Sequence, residues 1–279
     1  MITIISPAKN MKVDRLGTKP LTLPCFVDEA QEIWGELKKF LPEDLQILMK
    51  INDKLADDSF DRIQHMKFDM EGTSAVETYD GIQYKYMNPQ TFSEEGKRFA
   101  QDHLRVLSGL YGVVRPYDSI YEYRLEMLTK LPVGGCKNLY EFWGRKLYER
   151  LIGELDGTMA CDVENDVKIW ETCQKNASLL CGKNKEGRVI LNLASDEYGK
   201  TIRKYLKAPY RMVTCHFKTY SKGKYKVLAT AAKMARGSMV RYICENQIDD
   251  LEKIKEFDWE GYRFEESLST LDEFVFLQV

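Results

Sequence analysis

The chain has 279 residues, long enough to bury a sizeable core, and its 44% apolar, 11% aromatic and 30% charged composition excludes a disordered, collagen-like or small disulfide-stapled protein. Its 41 Lys and Arg nearly cancel its 43 Asp and Glu, and a net charge of -2 argues at first sight against a nucleic-acid partner. No run approaches the ~18 apolar residues that cross a bilayer, the start MITIISPAKN lacks a basic region followed by an apolar stretch, and the seven cysteines form no C-x-x-C pair. A cytoplasmic protein with reduced thiols and no membrane partner is expected.

In chain order, Met1 to Ile5 reads as a buried strand, ended by Ser6-Pro7 because proline cannot extend a ladder. Asp28 to Phe40 repeats apolar residues at helical spacing (Ala30, Ile33, Trp34, Leu37), and Pro42 opens a second helix expected over Leu45 to Leu55. Thr73 to Tyr79 continues helically toward an Asp80-Gly81 turn, and Tyr84-Lys85-Tyr86 reads as a short strand or loop. Ser93 is the expected N-cap of a helix running through Leu104 and Leu107 until Gly109. A helix is expected over Tyr140 to Leu151, a buried strand over Arg188 to Ala194, and a helix start at Ser195-Asp196-Glu197. Arg211 to Tyr220 and Tyr225 to Ala231 flank Gly223 as a hairpin, Arg236-Gly237-Ser238 leads into a helix through Cys244, and Gly261 to Phe264 with Glu273 to Leu277 close the sheet. Gly153 to Gly187 shows no organising pattern. With no linker and no repeat, residues 1–279 read as one α/β domain, a mixed sheet flanked by helices.

The net charge hides a strong asymmetry. Tyr198 to Cys244 contains twelve Lys and Arg and no acid, including Lys200, Lys233, Arg236 and Arg241. Asp28 to Asp80 holds fourteen acids against six bases, and Glu245 to Val279 eleven against three. Such a distribution suits one face that attracts an anion while the rest keeps the protein soluble, and equally suits a solvated basic face.

Common catalytic signatures are absent, and the three histidines (65, 103, 216) are scattered. Lys9, just past a strand tip, suits a phosphate contact, an amine nucleophile or an exposed loop lysine. His103 to Pro116 contains two glycines three apart, Gly109 and Gly112, and resembles half of a helix-hairpin-helix whose backbone amides would face a DNA phosphate; an ordinary helix end is the alternative. Arg105, Arg115 and Arg124 surround it.

The blocks ISPAK, HLRVLSGLYGVVRP, YRLEM, LYEFWG, NLASDEY, AKMARGSMVRYICEN and FDWEGY, in unbroken order from residue 2 to about 264, together resemble the YaaA family of bacterial peroxide-stress resistance proteins. The resemblance implies a single-domain α/β fold with a helix-hairpin-helix-like element and a positively charged cleft. It also implies a cytosolic protein that limits intracellular iron and so Fenton damage, and that binds double-stranded or distorted DNA. Carried onto this chain, the matching positions are Lys9, Arg105, Gly109, Gly112, Arg115, Arg124, Ser195, Asp196, Glu197, Tyr198, Lys233, Arg236 and Arg241. The chain departs from the family pattern at Asn10, Met234, YDGIQYKYM (79–87) and Phe276-Leu277-Gln278, which removes a few positive charges. The leading expectation is therefore a DNA-binding stress protein. The competing one is a glycosylase/lyase-like enzyme using Lys9 as the amine and Asp196 or Glu197 as proton carrier. Direct iron or haem handling would need a ligand cluster that the sequence lacks; no metal site or cofactor is expected, and a monomer is.

Overall fold

The computed structural model describes residues 1–13, 17–68, 72–158, 188–221 and 223–278. The unorganised 153–187 stretch therefore lies largely outside the described residues, as do Cys161, Cys173 and Cys181. In chain order the strands are β1 (Ile2–Ile5), β2 (Asn10–Met11), β3 (Thr73–Ser74), β4 (Tyr79–Asp80), β5 (Leu104–Ser108), β6 (Gly112–Val114), β7 (Ser119–Ile120), β8 (Val189–Asn192), β9 (Arg211–Ser221), β10 (Lys224–Lys226), β11 (Tyr262–Phe264) and β12 (Glu273–Gln278). The helices are α1 (Val27–Leu37), α2 (Pro42–Met49), α3 (Asp53–His65), α4 (Ala75–Thr78), α5 (Ile82–Met87), α6 (Glu94–His103), α7 (Leu139–Trp143), α8 (Lys146–Leu155), α9 (Asp196–Arg203), α10 (Ala229–Glu245) and α11 (Leu251–Lys255).

One sheet organises the chain, in the order β11-β12-β9-β8-β1-β5-β6, with β10 paired to β9. The run from β12 through β5 is parallel, and β6, β10 and β11 are antiparallel additions. All four residues of β1, all four of β8 and all five of β5 are buried. That pattern belongs to parallel strands covered by helices on both faces, and it explains why these runs are apolar without alternation. The architecture is the expected mixed α/β one.

Several boundaries move for local reasons. The helix that opens at Ser93 does so as expected, with the serine hydroxyl accepting the Gly96 amide, but it ends at His103. Leu104–Ser108 is instead an interior strand beside β1, and with the edge strand β6 it makes a β-hairpin. The expected helix-hairpin-helix element is thus strand-turn-strand: a continuous apolar run reads alike as buried helix or buried strand, and pairing with β1 decides it. The second helix stops at Met49 because Lys50 turns into the left-handed region (φ 54), and Asn52 caps α3 by accepting from the Leu55 amide. Tyr84-Lys85-Tyr86 lies within α5, between Gly81 and a left-handed Asn88. The expected Tyr140–Leu151 helix is broken at Gly144 (φ 45) into α7 and α8. The long basic helix begins at Ala229, so Arg236 is mid-helix.

Candidate functional site

β1 and β8 are neighbours in the sheet, but the chain leaves them in opposite directions, from β1 toward β5 and from β8 toward β9. Where strand order reverses in an open parallel sheet, the departing loops leave a crevice at the carboxyl ends. A cavity of about 440 Å³ occupies that position here. Ser6 to Asn10 after β1, and Ser195, Glu197 and Tyr198 after β8, form two of its sides. Tyr123 to Glu126, the start of α5 and one face of α10 complete it.

Hydrogen bonds latch the two loops. The Ser195 amide donates to Ser6 Oγ (2.8 Å), the Ser6 hydroxyl donates to Ser195 Oγ (3.2 Å), and the Tyr84 hydroxyl donates to the Ser6 carbonyl (2.9 Å). Ser195 therefore begins α9 without its side chain capping it. On the opposite wall, Gly237 lets α10 approach α5 closely: a Cβ there would stand 2.1 Å from the Gln83 carbonyl oxygen. Gln83 and the neighbouring Arg236 both line the cavity.

Four cations line the cavity (Lys9, Arg124, Lys233, Arg236) against three carboxylates (Asp80, Glu126, Glu197). Lys9 pairs with Glu126, and Asp80 with Lys85 at 3.6 Å. Glu197 accepts the Leu128 amide at 3.1 Å, and burial pushes its carboxyl above the usual range, aided by Glu126. Among the described residues no carboxylate pairs with Arg124, Lys233 or Arg236. Arg236 is the deepest of them. Burial holds its guanidinium below the ordinary arginine range, and its Nε has no hydrogen-bond partner. Gln83 is only 7% exposed, and its Nε2 also lacks a partner.

The remaining candidates lie elsewhere. Arg105, expected at a phosphate, is 4% exposed and donates to Glu154 (2.7 Å) and to the carbonyls of Gln101, Leu104 and Asp102. Burial alone would push the Glu154 carboxyl up, but Arg105 and Arg150 hold it below the usual range. Gly109 and Gly112 are buried in and beside the β5–β6 turn. Gly112 (φ 69) is pressed by Trp143, Leu147 and Phe26, and the Gly109 carbonyl accepts the Trp143 indole at 3.0 Å. Arg115 is partly buried near that network, its amide donating to Asp118 at 2.8 Å. Arg241 ties α10 to the end of α5 through the Met87 and Asn88 carbonyls and the Thr91 hydroxyl. Lys200 sits over the Tyr140 ring at 4.2 Å, and exposed Asp196 pairs with Arg203 at 2.9 Å. The acid-free segment is therefore divided among several surfaces, with Lys233 and Arg236 its contribution to the cavity.

The Lys9 ammonium is 66% exposed and ion-paired, whereas an amine nucleophile needs desolvated surroundings. The geometry therefore gives the lyase-like reading no support. Among the described residues no three His, Cys, Asp or Glu are grouped as a metal site requires, and no helix is long and apolar enough to cross a membrane. The thiols of Cys215 and Cys244 are buried and pushed up by that burial, which disfavours reactive thiolate. The residues that sequence patterns missed are Ser6, Gln83 and Glu126. Ser6 and Glu126 stand inside ISPAK and YRLEM, beside the candidates Lys9 and Arg124, whereas nothing local marks Gln83.

The fold and the cleft together define a mostly parallel α/β protein with a mixed-charge cleft at the switch point of its sheet. The chain belongs to the family described as peroxide stress protein YaaA, whose model matches residues 1–268. It is 44% identical to a UPF0246 protein of Clostridioides difficile over 278 residues, covering 100% of both chains. A UPF0246 protein of Lactiplantibacillus plantarum is 38% identical, with 99% of each chain covered, and one of Pediococcus pentosaceus is 37% identical over 100% of this chain and 98% of its own. The family's description ties it to the oxidative-stress response.

Proposed function

We propose that this chain, residues 1–279 acting as one unit, is a cytoplasmic peroxide-stress protein that binds double-stranded or distorted DNA across the mouth of the cleft and limits iron-driven Fenton damage. Phosphates would meet Lys9, Arg124, Lys233 and Arg236. The observation that carries the reading is the convergence on one cavity of Arg124, Lys233 and Arg236, none with a carboxylate partner among the described residues. Cations left unneutralised at a concave site attract an anion, and contacts to phosphate alone give weak sequence preference and steep salt dependence. The family's description supports the stress setting.

The test is fluorescence anisotropy with labelled duplex and bubble oligonucleotides at ~50 and ~200 mM salt, where a protein making several phosphate contacts loses affinity by orders of magnitude. Absence of binding at low salt, or binding indifferent to salt, would overturn the reading.

A further inference from the structure

A DNA duplex cannot enter a cavity of about 440 Å³, yet the cavity wall carries two buried donors that lack an acceptor, Gln83 Nε2 and Arg236 Nε. A buried N–H without a partner is a free-energy penalty that a fold keeps only where something else supplies the acceptor. A compact ligand rich in acceptor oxygens, small enough to enter the cavity, would offer acceptors to the Gln83 and Arg236 side chains that line it. The cavity is also lined by Glu126 and Glu197, whose carboxylates offer acceptors to a ligand's own N–H groups. Pro7, Ile82, Tyr84 and Leu125 line it as well and supply apolar surface suited to the faces of a flat ring.

We propose that the cavity is a pocket for one nucleotide, its phosphate held by Arg236, Gln83 and Lys233 and the donor edge of its base by Glu197 and Glu126. The volume falls within the range of small-ligand pockets, on the order of 300–1,000 Å³. The nucleotide can come free from solution or be turned out of a DNA strand lying across the mouth. The second source deepens the DNA-binding reading and rests on it.

The experiment has two arms, each run on the full chain and on Gln83→Leu and Arg236→Met. In the first, isothermal titration uses the four deoxynucleoside monophosphates, the matching nucleosides and inorganic phosphate. In the second, a duplex carrying one 2-aminopurine in a mismatch reports base eversion by its fluorescence, with anisotropy on the same sample reporting binding. Saturable monophosphate binding, at least tenfold weaker for the nucleoside or for phosphate alone, identifies a free nucleotide. A rise of 2-aminopurine emission on binding identifies a strand-borne one. Either result supports the pocket provided that both substitutions weaken it at least tenfold while the unliganded melting temperature does not fall. Donors that serve the ligand can be removed without loss of stability, whereas donors that serve the fold cannot. If neither signal appears while anisotropy still shows salt-sensitive duplex binding, the pocket inference falls and the DNA-binding reading stands. If monophosphates bind and no DNA does, the pocket stands and the DNA-binding reading falls. Equal binding of inorganic phosphate and nucleotide also overturns it.

Discussion

Two sets of arginines flank the central strand, and their fates differ. Around the β5–β6 hairpin, Arg105 and Arg150 close on Glu154 at 2.7 and 2.6 Å, with side-chain exposures of 5%, 13% and 7% for the three groups. At the carboxyl ends of β1 and β8, Arg124 and Arg236 have no carboxylate partner among the described residues and face a cavity. The residue type is the same; the carboxylate folded against it is not. A buried, paired guanidinium serves the fold, and one left unneutralised in a concavity is available to an anion. The contrast shows that a basic motif acquires meaning only once the acids that fold against it are known.

The sharpest way to break the contrast is Glu154→Gln. Removing one partner of a buried ion network leaves uncompensated charge and typically costs ~3–5 kcal/mol. Urea denaturation should show a loss of that size, with DNA affinity of the surviving folded fraction unchanged. A folded variant with near-native stability would mean that the network is not what fixes Arg105.

The same region carries a pH signature. Burial raises the Asp118 carboxyl to about 6, against the lowering influence of Arg115 and of the Thr22 hydroxyl. In the unfolded chain it titrates at the ordinary aspartate value of 3.8. Between those two values the folded state binds more protons than the unfolded one, so stability falls as pH rises from about 4 to about 6, by up to ~3 kcal/mol at higher pH. Asp118→Asn should flatten that slope in denaturation measured across the interval, whatever constant offset the amide adds. An unchanged slope would locate the titration elsewhere.

On the cleft side, Gly237→Ala forces α10 away from the Gln83 carbonyl, which a methyl would approach to 2.1 Å. Overpacking of this kind costs ~1–3 kcal/mol, and because it shifts α10, which carries Lys233 and Arg236, against α5 it should weaken ligand binding along with stability. A drop in melting temperature with binding intact would show that the α5–α10 approach is structural alone.

Much of the sheet was legible from short apolar runs such as Ile2–Ile5, closed by Ser6-Pro7, and Val189–Asn192, and the cap Ser93 sits where a helix start demands it. Leu104–Ser108 was not, because its apolar run fits a helix continuing from Phe99 as well as a strand, and only β1 chooses between them. The same limit applied to the site. Lys9, Arg124, Lys233 and Arg236 were legible as basic residues in recognisable blocks. Arg105 looked equivalent to them because Glu154 is 49 residues away in the chain. Gln83 was invisible because its importance lies in a donor that lacks a partner, and pairing cannot be read from a sequence.

The mildest substitutions complete the comparison. Arg124→Gln and Lys233→Gln remove cations that have no carboxylate partner among the described residues, so each should change stability by no more than ~0.5 kcal/mol. Their effect should appear in DNA binding, where each lost phosphate contact weakens affinity across sequences alike and reduces the slope of log affinity against log salt by about 1. Arg105→Gln is the paired control: it should lower stability and leave the salt slope of the folded protein untouched. Anisotropy titrations at three salt concentrations on all three variants separate the two classes of arginine directly. A salt slope that responds to Arg105 and ignores Arg124 and Lys233 would invert the assignment and move the DNA-binding surface to the β5–β6 hairpin.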